Sequence, residues 1–430
     1  MFRKPAKQPP TPQLDQVAPA STPQQLLKTI EVDSAIAQLW ETPHGTVAIV
    51  YPNALFHNIC HYRYWQAWLD EFPSCRAVIA IGSGRGLMGG PDVFVHDREA
   101  TEDTNNYHYE IDWADLNHLL GQPAPYWPTT LRTLTGMTGW SPDEPARTIA
   151  AAPEVDLNPV LRLAVRHAPE TALHQTLIAF ARHVLTRAAK AASEDTKFHR
   201  EHRDGTEIRF AAHPADVAEP ASPLDPATER AGWLHVLDLV DDDAYATTAL
   251  FASYRRASAV LPTSTVATVN TGDPGAGEWI RRLRPCQRAA RFALFPERYV
   301  KVTLIDPVTA AAVAFDGHDT YLAAVPSQIP SASPLAGVEL QPGQVWIICE
   351  DGMRYLCPET GSVDVNWGYN GSGPYQLAKV LHALLDDINA DIKTELSPAP
   401  GTLEAYCEHP WKPGTVLTRE QLDQARQAPR

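Results

Sequence analysis

A strand, a helix and a second strand follow one another early in the chain, and this succession restricts the fold more than any other feature. Residues 46–51 (TVAIVY) are apolar and β-branched and predict a buried strand. Residues 55–72 carry apolar and aromatic side chains at helical spacing and predict a helix ending before Pro73. Residues 77–81 (AVIAI) predict a second buried strand. Two strands joined through a helix pair in parallel, so the sequence predicts an α/β fold with a partly parallel sheet.

A similar succession follows in the second half of the chain. Residues 233–240 predict a strand, 244–257 a helix and 265–270 another strand. Between the two successions, residues 170–192 keep one apolar stripe and predict a long amphipathic helix. We therefore expect two modules with βαβ units.

The second module continues into a β-rich region. Residues 299–367 contain short β-branched and aromatic runs separated by turn residues, and Glu350-Asp351-Gly352 predicts a tight hairpin. Residues 374–388 carry a strong amphipathic stripe, with Pro374 at the first helical position, and predict a C-terminal helix that caps this region.

The length and the prolines suggest how the modules are divided. A chain of 430 residues predicts two or three domains, and 38 prolines favour linkers and rigid loops. The expected segments are a disordered Pro-rich arm (1–25), an N-terminal α/β domain (26–212), a Pro-rich linker (213–229), a C-terminal α/β domain (230–396) and an appended tail (397–430).

Composition argues against several classes of protein. No apolar run is long enough for a membrane span, and the N-terminus does not resemble a secretory signal. The six cysteines form no Cys-x-x-Cys pair, which predicts reduced thiols in the cytoplasm and argues against a zinc finger. A net charge of −15 argues against a protein that binds nucleic acid over its whole surface.

Basic charge is concentrated in residues 255–301. Arg281, Arg284, Arg288 and Arg291 recur at helical spacing on a predicted helix that is broken at Pro285, and we expect them to share one face. Such a face is suited to the phosphates of a nucleotide or nucleic acid. The alternative is that these arginines pair with acidic residues of the same chain or of a partner, which would fit a homo-oligomer or another protein partner.

A glycine-rich segment follows the strand predicted over 77–81. Gly82, Gly84, Arg85 and Gly86 would cradle a phosphate through backbone amides and a guanidinium group, in a mobile loop or lid. The Lys-Ser/Thr of a Walker A motif is missing, and no helix follows the glycines as in a dinucleotide-binding fingerprint.

A second glycine segment, Gly371-Ser372-Gly373, precedes the C-terminal helix. The free amides and the dipole of a helix N-terminus favour anions, so phosphate or carboxylate binding is one interpretation. The other is that the glycines only make a tight turn with Ser372 as cap, in which case Gly371 or Gly373 should have backbone angles that favour glycine.

The same segment carries a resemblance. Residues 366–374 (NWGYNGSGP), followed by Gln376-Leu377-Ala378, resemble a Trp-Gly-Tyr-Gly-Gly-Ser-Gly-Pro motif of uncharacterised bacterial, archaeal and phage proteins, with Asn370 in place of a glycine. The resemblance covers about twenty residues and implies a phage or mobile-element setting, but it implies no activity.

Metal sites are not favoured by the sequence. His57 and His61 would share a helix face, and Asp238 with residues 241–243 would lie between a strand and a helix. Packing of the histidines and stabilisation of a helix start by the acids are the favoured interpretations. No catalytic residue, metal or cofactor is assigned.

The leading functional hypothesis is an enzyme or sensor for a phosphate-bearing ligand, with its chemistry near the glycine segments at strand ends. The alternative is a non-catalytic assembly or interaction protein in which the arginines and glycines are structural. An enzyme should bring His, Asp and Arg side chains together, whereas an interface should leave them spread over a surface.

Overall fold

The computed structural model describes the whole chain except residues 1–13, 15–17, 54–61, 86–89, 99–108, 203–205, 219–221, 255–262, 361–363, 394–395 and 429–430. The chain divides into two compact units. The first comprises residues 1–157 and 180–221, and the second residues 158–179 and 222–430. The predicted mixed α/β fold class is confirmed.

A six-stranded sheet forms the centre of the first unit. Its order follows the chain, and among its described strands only β3 and β4 are parallel, joined through α1 as the early strand–helix–strand pattern predicted. The elements are β1 (Gln25–Val32), β2 (Ala35–Thr42), β3 (Gly45–Pro52), α1 (Tyr62–Glu71), β4 (Ala77–Arg85), β5 (Pro91–Asp97) and β6 (Tyr109–Ile111).

Alternation of side chains along the central strands explains how both faces of this sheet are covered. On β3, Ala48 and Val50 face the buried rings of Trp65 and Trp68 on α1, where small side chains leave room for the indoles. The larger Ile49 faces the other core, among side chains from later in the unit. Parallel central strands that are covered on both faces appear in a sequence as continuous apolar runs. This is why the sequence predicted β3 and β4 correctly.

Shorter elements complete the first unit around this core. β7 pairs with β9 and β8 with β10, each as a two-stranded parallel ladder. The elements are α2 (Trp113–Leu120), β7 (Pro125–Tyr126), α3 (Leu134–Met137), β8 (Arg147–Ile149), β9 (Arg209–Phe210) and β10 (Ala212–Pro214), with the first-unit part of α5 (Ala172–Glu201).

The predicted disordered arm is wrong where the structure describes it. Leu14 is buried in the first core, and the Ala20 and Gln24 amides donate to the carbonyls of His118 and Leu120. These bonds pair carbonyl groups in the last turn of α2, where a helix has few donors of its own. Residues 1–13 and 15–17 of the predicted arm lie outside the described part of the chain.

Helices and an antiparallel sheet open the second unit. The helices are α4 (Asn158–Val165), α6 (Pro226–Asp238), α7 (Asp242–Tyr254) and α8 (Ala276–Arg282). The sheet has the order β11-β15-β14-β13-β12, with β11 (Thr263–Asn270), β12 (Arg284–Pro285), β13 (Val302–Ile305), β14 (Ala312–Phe315) and β15 (Thr320–Pro326).

The strand predicted over residues 233–240 is wrong, because most of this segment lies in α6. Asp225 caps that helix by accepting from the Thr228 amide, and Pro226 occupies its first turn. Trp233, Val236 and Leu237 are buried at helical spacing, which a short apolar run cannot distinguish from strand alternation. The second βαβ unit therefore does not form there. The strand predicted over 265–270 is confirmed in β11, and the helix predicted over 244–257 is confirmed in α7 as far as Tyr254, while residues 255–257 lie outside the described part of the chain.

A second antiparallel sheet, β18-β17-β16-β19, packs against the predicted C-terminal helix. The elements are β16 (Leu335–Gln341), β17 (Gln344–Cys349), β18 (Arg354–Leu356), α9 (Ser372–Asp386), α10 (Gly401–Glu408), β19 (Thr415–Thr418) and α11 (Arg419–Gln427). The predicted hairpin joins β17 to β18, with Gly352 at φ 82°.

The segment 397–430 is not an appended tail. β19 pairs antiparallel with β16, and Leu417 and Leu422 are buried in the same core as α9. The prolines that suggested an appendage lie between these elements: Pro398 and Pro400 precede α10, and Pro410 and Pro413 lie between α10 and β19, so they do not prevent the segment from packing.

In the described part of the chain, no helix is long and apolar enough to cross a membrane. The five described cysteines are all free thiols.

We predict that Gly121→Ala destabilises the first unit more than Gly139→Ala. Both glycines have positive φ, 60° and 69°, so each substitution costs about 1–2 kcal/mol in backbone strain. A Cβ at Gly121 would lie 2.3 Å from the Thr22 carbonyl oxygen, whereas a Cβ at Gly139 meets nothing within 4 Å. Urea unfolding should show an extra loss of about 1–3 kcal/mol for Gly121→Ala. Equal losses would contradict the packing of residues 18–24 on α2.

We predict that Leu417→Ala lowers the free energy of unfolding by about 2–5 kcal/mol, because its side chain fills the second core. Val416→Ala on the same strand is the control, since Val416 is 46% exposed, and should cost less than about 1 kcal/mol. Similar small losses for both variants would mean that β19 does not belong to the core.

Candidate functional site

A buried arginine marks the carboxyl ends of the two parallel strands. Arg132 is 2% exposed, and Nη1 donates to the carbonyl of Pro52 at the end of β3 (3.1 Å) and to that of Ile81 on β4 (3.0 Å). Nη2 donates to the carbonyl of Gly82 (2.9 Å) and Nε to that of Trp127 (2.9 Å). In α/β sheets, ligands bind beside the carboxyl ends of parallel strands, so this is the expected place for a site.

A network of three polar side chains lies close to this arginine. The Tyr126 hydroxyl donates to Asp195 Oδ2 at 2.6 Å, and His199 Nε2 lies 3.2 Å from Asp195 Oδ1. Tyr126 and His199 are both buried, and their rings meet edge to face at 4.8 Å. Asp195 and His199 are four residues apart on α5 and therefore lie on one face.

Local structure brings these groups together. Tyr126 lies on β7, which pairs with β9, and the chain then turns through a 3-10 helix over Thr129–Leu131. That turn directs Arg132 back towards the sheet, while the Thr130 hydroxyl donates to the carbonyl of Ala188 on α5 (2.9 Å). The 3-10 turn is thereby bonded to the helix that carries Asp195.

Burial and charge shift the pKa values of this cluster. Burial lowers the pKa of Arg132, while Tyr126, Asp195 and Tyr51 act in the opposite direction. Burial raises the pKa of Tyr126 well above its usual value, and Asp195 raises it further. The phenol is therefore a neutral donor between a buried guanidinium and a carboxylate.

Asp92, at the start of β5, extends the acidic side of the cluster. Burial raises the pKa of its carboxyl group and the nearby Glu110 raises it further, whereas His199 lowers it. The site therefore contains one carboxyl group with an elevated pKa beside a histidine held by another carboxylate.

The state of His199 determines what this arrangement can do. Asp195 accepts from Tyr126 and from the His199 ring, so in the neutral ring Nε2 carries the proton and Nδ1 keeps its lone pair. Nδ1 is buried and has no partner among the described residues. A carboxylate that orients a histidine in this way is the arrangement that activates imidazole as a base or hydrogen-bond acceptor.

The sequence did not reveal Asp195 and His199, because the apolar stripe of the predicted helix ends at residue 192. The helix continues to Glu201 through a polar stretch with i,i+4 ion pairs, Lys190–Glu194 (3.6 Å) and Lys197–Glu201 (3.9 Å). A histidine four residues after an aspartate was the available signal. Tyr126 and Arg132 gave no signal, because the Asp195 partner of Tyr126 and most acceptors of Arg132 are distant in sequence.

The first glycine segment is partly a strand. β4 continues through Gly82 and Gly84 to Arg85, which pairs with Pro91 across a register irregularity, so the expected loop is wrong for residues 82–85. The Gly82 carbonyl is one of the Arg132 acceptors. Gly86 lies outside the described residues, and phosphate binding by this segment stays a prediction.

The second glycine segment begins α9 in the second unit. Gly371 is extended (φ 171°) and Gly373 lies within α9 without a positive φ, so the expectation of a glycine-specific backbone at Gly371 or Gly373 is wrong. These glycines are required by close approach instead. A Cβ at Gly371 would lie 2.6 Å from the Tyr369 ring, and one at Gly373 would lie 2.8 Å from Asn366 Cβ. Ser372 is exposed at the first helical position, so the expectation that it caps the helix is wrong, because Gly371 is the N-cap. The role of Ser372 in anion binding stays a prediction.

The predicted arginine face does not form. Arg281 lies in the last turn of α8, which ends at Arg282. Arg284 lies on β12, Arg288 follows that strand, and Arg291 belongs to a 3-10 turn. Pro285 ends the helical spacing, because it lacks the amide that a continuing helix requires.

Two of these arginines pair with acidic residues of the chain. Arg288 donates to Glu297 (2.6 Å) and to the Tyr245 hydroxyl (2.7 Å). Arg291 pairs with Asp238. By contrast, Arg284 donates to the carbonyls of Arg281 and Leu283, and no ion pair of Arg281 or Arg284 occurs within the described part.

The acids considered for magnesium also have arginine partners. Asp241 pairs with Arg166 (2.8 Å) and Asp243 with Arg162 (2.6 Å). Within the described ranges, no group of three or more His, Cys, Asp or Glu side chains is arranged to hold a metal ion. His57 and His61 fall outside these ranges.

Comparison with known proteins adds no relative: no protein-family model, curated protein or solved structure matches the chain.

We predict that Tyr126→Phe flattens the loss of stability at alkaline pH. The pKa of Tyr126 is higher in the folded state than in the unfolded state, where it is near 10. The neutral phenol therefore contributes fully to the free energy of unfolding below pH 10, and this contribution is lost as the pH rises above 10. Above pH 10, the free energy of unfolding of the variant should fall less steeply than that of the unmodified protein. The difference between the two slopes should be up to about 1.4 kcal/mol per pH unit. Tyr51→Phe should act similarly, because burial raises that pKa too. Alkaline urea titrations identical to the unmodified protein would contradict this.

Proposed function

We propose that this chain is an enzyme or sensor whose first unit takes a phosphate-bearing ligand at the carboxyl ends of β3 and β4. His199 would accept a proton or a hydrogen bond from that ligand. One observation carries the proposal: His199 Nε2 is held by Asp195 while Nδ1 is buried without a partner among the described residues.

An unpaired buried nitrogen costs about 1–3 kcal/mol, and a ligand that donates a hydrogen bond to it removes that cost. Arg132 is unavailable to the ligand, because four of its five N–H groups already bond to carbonyls. Its role is therefore to hold the strand ends at which the ligand binds. Asp92, whose pKa burial raises, is the second acid–base group of the proposed site.

The phosphate part of the proposal rests on the glycine-rich segment that begins at Gly82, because close approach to backbone amides is what such segments offer an anion. We propose a nucleotide as the ligand class. The cysteine spacing supports a cytoplasmic location for the protein. The resemblance of residues 366–374 supports a phage or mobile-element setting.

The test is calorimetric titration of the full chain with inorganic phosphate, AMP and ATP, using two histidine variants. His199→Gln keeps an amide that can donate to Asp195 but places no acceptor at the Nδ1 position. His202→Gln is the control, because His202 is exposed one turn later and stacks on Phe198. We expect His199→Gln to weaken binding at least tenfold and His202→Gln to leave it unchanged. Absence of binding to all three compounds, or equal affinity of the variants, would refute the proposal.

A second candidate is a non-catalytic assembly protein, and the pairing of Arg288 and Arg291 with Glu297 and Asp238 favours it. Here the arginines stabilise the fold, and Arg281 with Arg284 would face a protein partner or a second copy. The double variant Arg281→Glu/Arg284→Glu should then change the sedimentation mass. If the partner is nucleic acid instead, the unmodified chain should bind polynucleotide with steep salt dependence and the variant should not.

A further inference from the structure

The ring of Tyr126 is held by other rings, and this fixes the place of its hydroxyl group. It meets Trp113, Phe210 and His199 edge to face, with centroids 5.8, 6.0 and 4.8 Å apart. The side chain is fully buried. The hydroxyl hydrogen can still rotate, so the groups around the oxygen decide where it is donated.

Arg132 is the neighbour that decides this direction. A guanidinium group carries five N–H donors and no acceptor. Four of these donors bond to carbonyl groups. Burial lowers the pKa of Arg132, and a hydrogen bond with the Tyr126 hydroxyl is among the contacts that raise it. Because Arg132 can only donate, the Tyr126 oxygen accepts from it and the hydroxyl hydrogen turns to Asp195 Oδ2, 2.6 Å away.

Asp195 passes this direction on to the histidine. Its Oδ2 atom accepts from Tyr126, and its Oδ1 atom lies 3.2 Å from His199 Nε2. Both oxygens of a carboxylate accept, so either can face the histidine. An amide at the same position has one accepting end and one donating end. It would therefore show which end the Tyr126 hydroxyl selects.

We infer that Tyr126 is the positioning residue of His199: Arg132 directs the Tyr126 hydroxyl to residue 195, and residue 195 then decides which ring nitrogen of His199 carries the proton. This deepens the proposed function and rests on it only for the ligand, which would use the Nδ1 lone pair that this arrangement keeps free.

The test is 15N NMR of the histidine side chains in the full chain without ligand, at about pH 9, above the ordinary titration range of histidine. His199→Gln identifies the His199 signals. The unmodified chain should show the form with the proton on Nε2. In Asp195→Asn, the Tyr126 hydroxyl should select the amide oxygen, so the amide nitrogen donates to Nε2 and the proton moves to Nδ1. The ratio of the Nε2–H form to the Nδ1–H form should fall about tenfold or more.

A second substitution in the Asp195→Asn chain separates positioning from a structural role. Adding Tyr126→Phe removes the group that selects the amide oxygen, so the amide can turn and the ratio should rise about tenfold or more. Adding Tyr51→Phe is the matched control. The Tyr51 hydroxyl is also buried and donates to the Pro125 carbonyl at 2.8 Å, so its loss removes a similar bond without touching Asp195. The ratio should then stay low.

Three results would overturn the inference: persistence of the Nε2–H form in Asp195→Asn, no recovery with Tyr126→Phe, or equal recovery with Tyr51→Phe. If a double variant fails to fold, as judged by thermal unfolding, Asp195→Asn alone decides. If that variant also fails, the Nε2–H proton of His199 should exchange with solvent about tenfold faster in Tyr126→Phe than in Tyr51→Phe, and equal rates would overturn the inference.

The NMR measurement needs no ligand, so the two proposals can fail separately. Absence of binding to phosphate, AMP and ATP would refute the proposed function and leave the assignment of Tyr126 intact. Binding that depends on His199, together with an unchanged tautomer in Asp195→Asn, would refute the assignment of Tyr126 alone.

Discussion

The bonds of Arg132 to backbone carbonyls are the interaction on which the first unit depends most. A buried charge is costly unless its donors are paired, and here four N–H groups meet carbonyls from three separate segments of the chain. Those bonds fix the ends of β3 and β4 relative to the turn after β7. Loss of the guanidinium would leave several buried carbonyls unpaired, so the strand ends and the neighbouring site are coupled through one side chain.

The position of Arg132 also explains the arrangement around it. Tyr126 stands between that cation and Asp195, and a neutral phenol can donate to the carboxylate without adding charge to a buried region. Asp195 is then the acceptor for both Tyr126 and His199. The orientation of His199 thus follows from its hydrogen bond to Asp195 together with the edge-to-face contact of its ring with Tyr126, which is how supporting groups position a functional side chain.

Sequence periodicity predicted the parts of the fold in which neighbours along the chain determine the structure. β3 and β4 were visible as apolar runs, α9 as a stripe and Gly352 as the hairpin turn. The strand expected over residues 233–240 failed because its apolar spacing fits a helix as well. The arginine face failed because α8 ends at Arg282 and the chain continues as a strand through Arg284 and Pro285, which places the arginines on different elements. The sequence could not predict the role of Arg132, because its acceptors are backbone carbonyls, which do not depend on residue type. These carbonyls also lie up to 80 residues away from Arg132 in the sequence.

The two units differ in how their buried polar groups are balanced. Around His199 one buried nitrogen keeps an unused lone pair, so a ligand with a donor group gains a bond that the protein alone does not make. In the second unit, Asp306 and Arg282 have already used their charges on each other. A ligand with a donor group is therefore expected to bind at His199 rather than at this ion pair.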